Sequence, residues 1–399
     1  MKDKTILLAV TGSIAAYKAV ALASQLHQLG AHVNVLMTRE ATHFIGPLSF
    51  ASITHRPVAT DVLALGADSE IEHVALAKSG NVMLIAPATA NMIAKLAHGL
   101  ADDAVSATAL DAFTRMPILV APAMETGMWE NPATRDNVET LRQRGFLIVE
   151  PTSGYLASGA QGKGRMAEVD TLIAAVEVAL GHQGDLASRR IIVTAGGTQE
   201  ALDPVRVIAN KSSGRMGLAL ARAARNRGAE VTLILGTTRF EPPDFVEVVQ
   251  AVSAREMSDA VLDRSRGADA LLMAAAIADF RPAQEADYKI KKETLTDLTL
   301  TLVKNPDILA SVAVMSEMER PHVVVGFAAE SGDLIVNAQK KLAAKKLDFV
   351  VANPVPETFG SEQIQATFVE ANGARQFAPM AKEEMADRIL DRVLELLNT

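Results

Sequence analysis

The 399-residue chain contains no cysteine. Disulfides, thiolate metal sites, iron–sulfur clusters and cysteine nucleophiles are therefore excluded. Aromatic residues are scarce, at 4% with a single tryptophan, which argues against a stacking platform for single-stranded nucleic acid. Positive charge is also short: 39 Lys and Arg against 47 Asp and Glu leave a net charge of −8. A general nucleic-acid binder needs a basic face, so no nucleic-acid partner is expected. No apolar run reaches the roughly 18 residues of a membrane span, so no membrane association is expected. The N-terminal MKDKTILLAVTGSIAAYKAV begins like a signal peptide, but Thr11, Gly12 and Ser13 break its apolar run. It reads as the first strand of a cytoplasmic protein.

Apolar residues are plentiful, at 49%, enough for sizeable cores in two or three domains. Two segments share one design. Ile6–Thr11 and Ile191–Thr194 are apolar runs that end in small residues, and each is followed by a helical pattern. A second strand then follows Gly30 or Gly228, each placed as a helix C-terminal glycine. Further apolar runs lie at 82–87, 117–122, 270–276, 323–329 and 349–353. Short apolar strands alternating with helices predict parallel sheets covered on both faces. The fold class is α/β with two doubly wound domains, over 1–182 and 183–399, joined near the polar 181–188. Ligands of such sheets sit beyond the carboxyl ends of the strands.

In the first half, Gly12 and Ser13 turn a strand into a helix whose free amides suit a phosphate. Thr89 and Asn91 follow the 82–87 run, where small residues let a flat ring approach. Both segments also read as plain turns with a capping hydroxyl. His73 sits where a helix begins and reads equally as a packing residue. Walker A, G-x-S-x-G, H-E-x-x-H and G-x-G-x-x-G motifs are absent; without the glycine fingerprint, a generic dinucleotide dehydrogenase is disfavoured.

In the second half, Ser212-Ser213-Gly214 precede an alanine-rich helix, a pattern that forms an anion nest. Ala275 lies near the end of the 270–276 run and Asp279 follows it, and Asp279 suits a ribose, a base or a metal. Lys289 and Lys291 share one face if their segment is extended, and Lys341 and Lys345 share one face of a helix. Either pair also reads as solvated lysines. Asn305-Pro306-Asp307-Ile308 reads as a turn and helix start with Pro306 at the first helical position.

Together GSIAAYKA, FIGPLSF, IEHVALAK, APATANMIAKLAHGLADD, PAMETGMW and GYLASGAQGKGRM resemble the flavin-dependent cysteine decarboxylases. LDPVRVIANKSSGRMG, AAAIADFRPA, KIKK, KNPDIL and VVGFAAES resemble the ligase part of the bacterial bifunctional phosphopantothenoylcysteine decarboxylase/phosphopantothenate–cysteine ligases. The resemblance covers essentially the whole chain. It implies a flavodoxin-like FMN domain followed by a Rossmann-like nucleotide-binding domain. FMN contacts then fall on Gly12, Ser13, Thr38, Ser49, Thr89 and Asn91, and the active-site histidine on His73.

For the second half, the resemblance implies that CTP activates 4′-phosphopantothenate as an acyl-cytidylate, which the amine of cysteine attacks. The product, phosphopantothenoylcysteine, is the substrate of the first half. Asn210 would hold the acyl intermediate, with Arg206 close by, and Lys289 would offset charge on the α-phosphate. Ala275, Asp279, Asn305, Pro306, Asp307, Ile308, Phe327, Lys341 and Lys345 would serve CTP beside Ser212, Ser213 and Gly214. Mg²⁺ suits this chemistry because it bridges phosphates and needs few protein ligands; its ligands are not legible. A homo-oligomer is implied.

Two positions depart from the family pattern. Glu125 stands where the family has an asparagine that holds the substrate carboxylate, and Ser158 where it has a proton-donating cysteine. A carboxylate about 4 Å from the substrate's costs roughly 4 kcal/mol at an effective dielectric of 20. A hydroxyl is a far weaker acid than a thiol with a pKa near 8.5, and matched proton donation is worth about 10²–10⁴ in rate. The expectation is a working ligase fused to a weakened decarboxylase. Two alternatives stand beside it: decarboxylation through adapted residues, or a first half that serves only as an FMN-binding assembly scaffold.

Overall fold

A computed structural model describes residues 1–62, 71–291, 297–330, 332–354 and 363–399. The chain divides into two compact units, Met1–Leu180 and Gly181–Thr399.

In the first unit, strands β1 (Thr5–Val10), β2 (His32–Met37), β3 (Val58–Ala59), β4 (Val82–Ala88), β5 (Ile118–Pro122) and β6 (Leu147–Ile148) form one sheet. Its order is β3-β2-β1-β4-β5-β6, and every pairing is parallel. With the two-residue edge strand β3 set aside, the order is the flavodoxin-like 2-1-3-4-5. Alternate residues of β1 enter different cores. Ile6, Leu8 and Val10 pack with the helix Ala16–Gln28, and Leu7 and Ala9 with the opposite layer. Burial of both faces is what lets a continuous apolar run form a strand without alternation. An antiparallel hairpin, β7 (Thr152–Tyr155) and β8 (Gln161–Arg165), follows.

The second unit contains β9 (Arg190–Ala195), β10 (Gln199–Ala201), β11 (Val207–Ala209), β12 (Glu230–Leu235), β13 (Glu247–Gln250), β14 (Ala270–Met273) and β15 (Phe280–Pro282). It continues with β16 (Leu302–Lys304), β17 (Val323–Glu330), β18 (Phe349–Pro354), β19 (Gln363–Ile364), β20 (Thr367–Glu370), β21 (Gly373–Gln376) and β22 (Met380–Ala381). The main sheet runs β13-β12-β9-β14-β17-β18-β20-β21. Its first six strands are parallel in Rossmann order, and β20 and β21 add antiparallel to one edge. Gly30 and Gly228, at φ of +85° and +91°, end the helices before β2 and β12 as expected.

Two local readings are corrected. The run at 270–276 is a strand only to Met273. Beyond it the chain turns over the sheet end, where the Ala276 amide donates to the Gly196 carbonyl at 2.9 Å and the Ala276 carbonyl accepts from the Thr198 amide at 3.1 Å. Pro306 is not the first helical residue. Asp307 caps the helix Ile308–Ala313 by accepting from the Ala310 amide at 3.0 Å, so Pro306 precedes the cap.

Candidate active sites

In the first unit, the Thr11 hydroxyl donates to the Pro87 carbonyl at 2.7 Å and accepts from the Thr89 amide at 3.0 Å. This buried threonine ties the carboxyl ends of β1 and β4 together. It sets Gly12 and Ser13 beside Thr89 at the mouth of a cavity of about 470 Å³. The opposite wall is Ala123, Met124, Glu125 and Met128, and the hairpin supplies Tyr155, Leu156, Ala157 and Arg165. The hairpin is held there by the Met124 amide, which donates to the Gly164 carbonyl at 2.9 Å. Apolar walls, the hydroxyls of Ser13 and Thr89 and the cations of Lys18 and Arg165 suit a flat ring with an anionic tail. Lys18 is buried, and its ammonium bonds Glu168 at 3.0 Å.

Thr89 is both things the sequence offered: it caps the helix Ala90–His98 through the Met92 amide at 3.2 Å, and it lines the cavity. Four other residues named for FMN or catalysis do not reach this cavity within one chain. Thr38 is buried at the end of β2, where it accepts from the Ala41 amide, and Ser49 and Asn91 are exposed. His73 lies in a separate hollow with Val62, Ala107 and Asp111, and its Nδ1 is 3.1 Å from the Val62 carbonyl.

Glu125 and Ser158 meet. Ser158 Oγ donates to Glu125 Oε2 at 3.0 Å. Glu125 precedes the short helix Thr126–Trp129, yet its carboxylate does not cap it and turns to the hairpin serine instead.

In the second unit, a cavity of about 600 Å³ opens beyond the ends of β14 and β17. It gathers Asn210, Ser212, Ser213, Gly214, Ala275, Asp279, Phe327 and Lys341. Gly214, at φ +76°, ends the nest and leads into the helix Arg215–Asn226. One turn on, Gly217 touches the sheet: a Cβ there would lie 2.5 Å from Ala195 Cβ. Asn210 is held by donation to the Ile277 carbonyl at 2.9 Å, and Lys341 by donation to the Phe327 carbonyl at 2.7 Å. Among the described residues lining the cavity, Asp279 is the one carboxylate.

Arg206 is placed by Asp203, which the sequence reading passed over. Its guanidinium bonds Asp203 Oδ2 at 3.0 and 2.5 Å and also donates to the Ile290 carbonyl at 2.8 Å. The Ile290 amide in turn donates to Asp203 at 3.1 Å. Asp203 and Arg206 thus clamp the segment that carries Lys289 and Lys291, both exposed; Lys292 lies outside the described residues. The Arg206 hydrogen bond holds the Asp203 carboxyl well below the usual range. Asn305 Nδ2 donates to the Ala278 carbonyl at 2.8 Å, and Lys345 pairs with Asp307 at 2.5 Å. The two helical lysines therefore part company: Lys341 lines the cavity and Lys345 pairs with the cap of the helix Ile308–Ala313.

One further cavity residue was not singled out in the sequence. Lys382, in an ordinary-looking AKEEM, is 6% exposed.

Two α/β units with such strand-end cavities, one matching the Flavoprotein family over residues 1–181 and the other the DNA/pantothenate metabolism flavoprotein C-terminal domain over 186–397, define a two-domain flavoprotein of pantothenate metabolism. Full-length relatives narrow this. The coenzyme A biosynthesis bifunctional protein CoaBC of Mycobacterium tuberculosis (strain H37Rv) is 41% identical over 409 residues, covering 99% of this chain and 97% of that protein. That of Vibrio vulnificus (strain CMCP6) is 42% identical over 401 residues, covering 100% and 99%. That of Bacillus subtilis (strain 168) is 39% identical over 403 residues, covering 99% and 98%. The chain belongs to this family of bifunctional coenzyme A biosynthesis proteins. Among solved structures, the C-terminal domain of a CoaBC protein matches 54% of this chain and 98% of its own, at 34% identity and a TM-score of 0.47. Among the described residues, no helix is long and apolar enough to cross a membrane.

Proposed function

We propose that the second unit ligates 4′-phosphopantothenate with cysteine at the expense of CTP, through an acyl-cytidylate. The observation that carries this reading is the 600 Å³ cavity, which brings Asn210, the Ser212–Gly214 nest, Asp279 and Lys341 together from distant parts of the chain. The nest and Lys341 offer positive potential to phosphates. Asn210, fixed by Ile277, presents an amide to the acyl group. The Asp203–Arg206 clamp holds the Lys289 segment, whose ammonium offsets charge on the α-phosphate as pyrophosphate leaves. Mg²⁺ needs few protein donors, and Asp279 would be the cavity carboxylate available to it.

In this reading Gly12, Ser13, Thr89, Ala123, Met124 and Met128 would hold FMN in the first unit. When bound, FMN supplies the redox chemistry of a cysteinyl decarboxylation. This chain's own residues serve that reaction poorly. Glu125 sets a negative charge where a substrate carboxylate would lie, and the Ser158 hydroxyl is engaged with Glu125. His73, Thr38, Ser49 and Asn91 lie outside the single-chain cavity, which fits completion of the site in a homo-oligomer.

The test is incubation of purified protein with 4′-phosphopantothenate, CTP, Mg²⁺ and cysteine, with products followed by mass. Phosphopantothenoylcysteine that forms with CTP and then accumulates is the expected outcome. No CTP-dependent product would overturn the ligase reading. Rapid onward loss of carbon dioxide would overturn the reading of Glu125 and Ser158.

A further inference from the structure

Lys382 stands apart from the other cations of the second cavity by its burial, whereas Lys211 is exposed. Lys341 donates to Phe327, and Arg215 lies over the Phe240 ring at 4.6 Å. The Lys382 ammonium has no hydrogen-bond or ion-pair partner among the described residues, although the side chain is 94% buried and lines the cavity. Burying a lysine side chain costs stability unless an anion offsets the charge of its ammonium. Burial and then the positive charge of Arg215 push its pKa down, and the neighbouring Glu383 charge only partly offsets them. Such a group is retained where something absent from the free protein pairs with it.

The surroundings say what that is. Lys382 opens the helix Lys382–Leu397, whose preceding residue, Ala381, gives no side-chain cap. The helix Arg215–Asn226 starts at the same cavity, also without a side-chain cap. Two helix N-termini and the Lys382 ammonium form an anion site beside the Ser212–Gly214 nest.

We propose that Lys382 binds the phosphate monoester of 4′-phosphopantothenate and makes the ligase select phosphorylated substrate over pantothenate. The choice between the two phosphorylated substrates follows from the reaction. CTP gives up pyrophosphate, so its phosphates must be held by groups that release them. The monoester stays on the substrate from start to finish and suits a cation held in place by a buried side chain. A site built around a buried polar group also rejects an analogue lacking the matching group, because its own charge is then left unpaired.

The inference rests on the ligase reading. Its test uses the full-length protein and the variants Lys382→Met and Lys382→Arg. Binding of 4′-phosphopantothenate and of pantothenate is measured by calorimetry without CTP, alongside KM for each substrate and the thermal midpoint. In Lys382→Met, affinity for 4′-phosphopantothenate falls about tenfold or more, the loss of a charged hydrogen bond. Binding of pantothenate and KM for CTP stay as they were, Lys382→Arg restores part of the loss, and the ligand-free midpoint does not fall.

A rise in KM for CTP with unaltered 4′-phosphopantothenate binding overturns the assignment to the monoester. Unaltered binding of both ligands with a lowered midpoint overturns it in favour of a structural lysine. If the methionine variant does not fold, thermal stabilisation by inorganic phosphate is compared between wild type and Lys382→Gln, which keeps a polar side chain without the charge, and equal stabilisation overturns the proposal. Wild-type protein that binds inorganic phosphate in a Lys382-dependent way but not 4′-phosphopantothenate overturns the ligase reading and leaves the anion site standing.

Discussion

At the scale of single residues, the first unit turns on one hydrogen bond. Ser158 and Glu125 are 33 positions apart, and the sequence resemblance leads one to expect a cysteine and an asparagine there; the structure joins them at 3.0 Å. A change at one therefore acts through the other, and the two are coupled in the sense of a double-mutant cycle. Glu125→Asn removes the repulsive carboxylate but leaves no effective proton donor. Ser158→Cys restores the donor but leaves the carboxylate. The double variant is expected to decarboxylate phosphopantothenoylcysteine about 10²–10⁴ times faster than the present protein, with each single variant well short of that. Carbon dioxide release measures it, and strictly multiplicative single effects would show that the pair does not act together. In the second unit, Asn210→Ala should still release pyrophosphate while acyl-cytidylate accumulates, visible by mass. Full product formation by this variant would remove Asn210 from its role.

At the scale of elements, two contacts decide whether the second cavity is assembled. The helix Arg215–Asn226 sits hard on the sheet because position 217 carries no side chain: a Cβ there would lie 2.5 Å from Ala195 Cβ and 2.7 Å from the Thr194 carbonyl. Gly217→Ala therefore lifts the helix and should cost about 1–3 kcal/mol, as overpacking does, with a lower thermal midpoint and weaker binding at the Ser212–Gly214 nest. The second contact is the clamp from Asp203 through Arg206 to Ile290. Asp203→Asn keeps the size but removes the charge that orients Arg206. The Lys289 segment loosens, and kcat should fall on the order of 10²-fold, the scale of a misplaced catalytic group. Pyrophosphate release measures this, and a wild-type rate would show that the clamp does not serve Lys289.

At the scale of the whole molecule, each unit has its own pair of cores on either side of its sheet. Charge then tunes each unit's response to pH. Hydrogen bonds from Lys95, Arg227 and Arg206 hold Asp102, Asp185 and Asp203 below their ordinary values. Burial would raise Asp307, but the Lys345 and Ala310 hydrogen bonds with the charges of Lys345 and Lys341 outweigh it. A carboxyl with a depressed folded value adds stability that is fully present above about pH 4, the unfolded value, and is lost as pH falls through the folded value. Asp348 and Asp387, raised by burial, act in the opposite sense. They cost stability at neutral pH, and the cost is lifted as pH falls through their raised values. Thermal midpoints should therefore gain slightly on mild acidification from neutrality and drop steeply below about pH 4. Asp348→Asn should remove part of the mild-acid gain; a variant with the full gain would assign it elsewhere.

Much of this protein is legible from residue order alone, for a local reason. The apolar runs at 6–11, 82–87, 191–194 and 323–329, the glycines at 30 and 228 and the capping hydroxyl of Thr89 act on their own neighbours, so strand, turn and helix follow from a short window of sequence. Once the strands are known to be parallel, the segments after them are where a ligand belongs, and Gly12, Ser13, Asn210 and Asp279 lie there. What a window cannot contain was settled only in three dimensions. The bond between Ser158 and Glu125, the Asp203 clamp on a segment 87 positions away, the parting of Lys341 from Lys345, and the exposure of Ser49 all depend on which strand ends become neighbours. Lys382 is the sharpest instance. Its sequence reads as the start of a surface helix, and only burial against the Arg215 helix turns an ordinary lysine into a charge awaiting an anion, because desolvation is a property of the assembled surroundings and not of the residue.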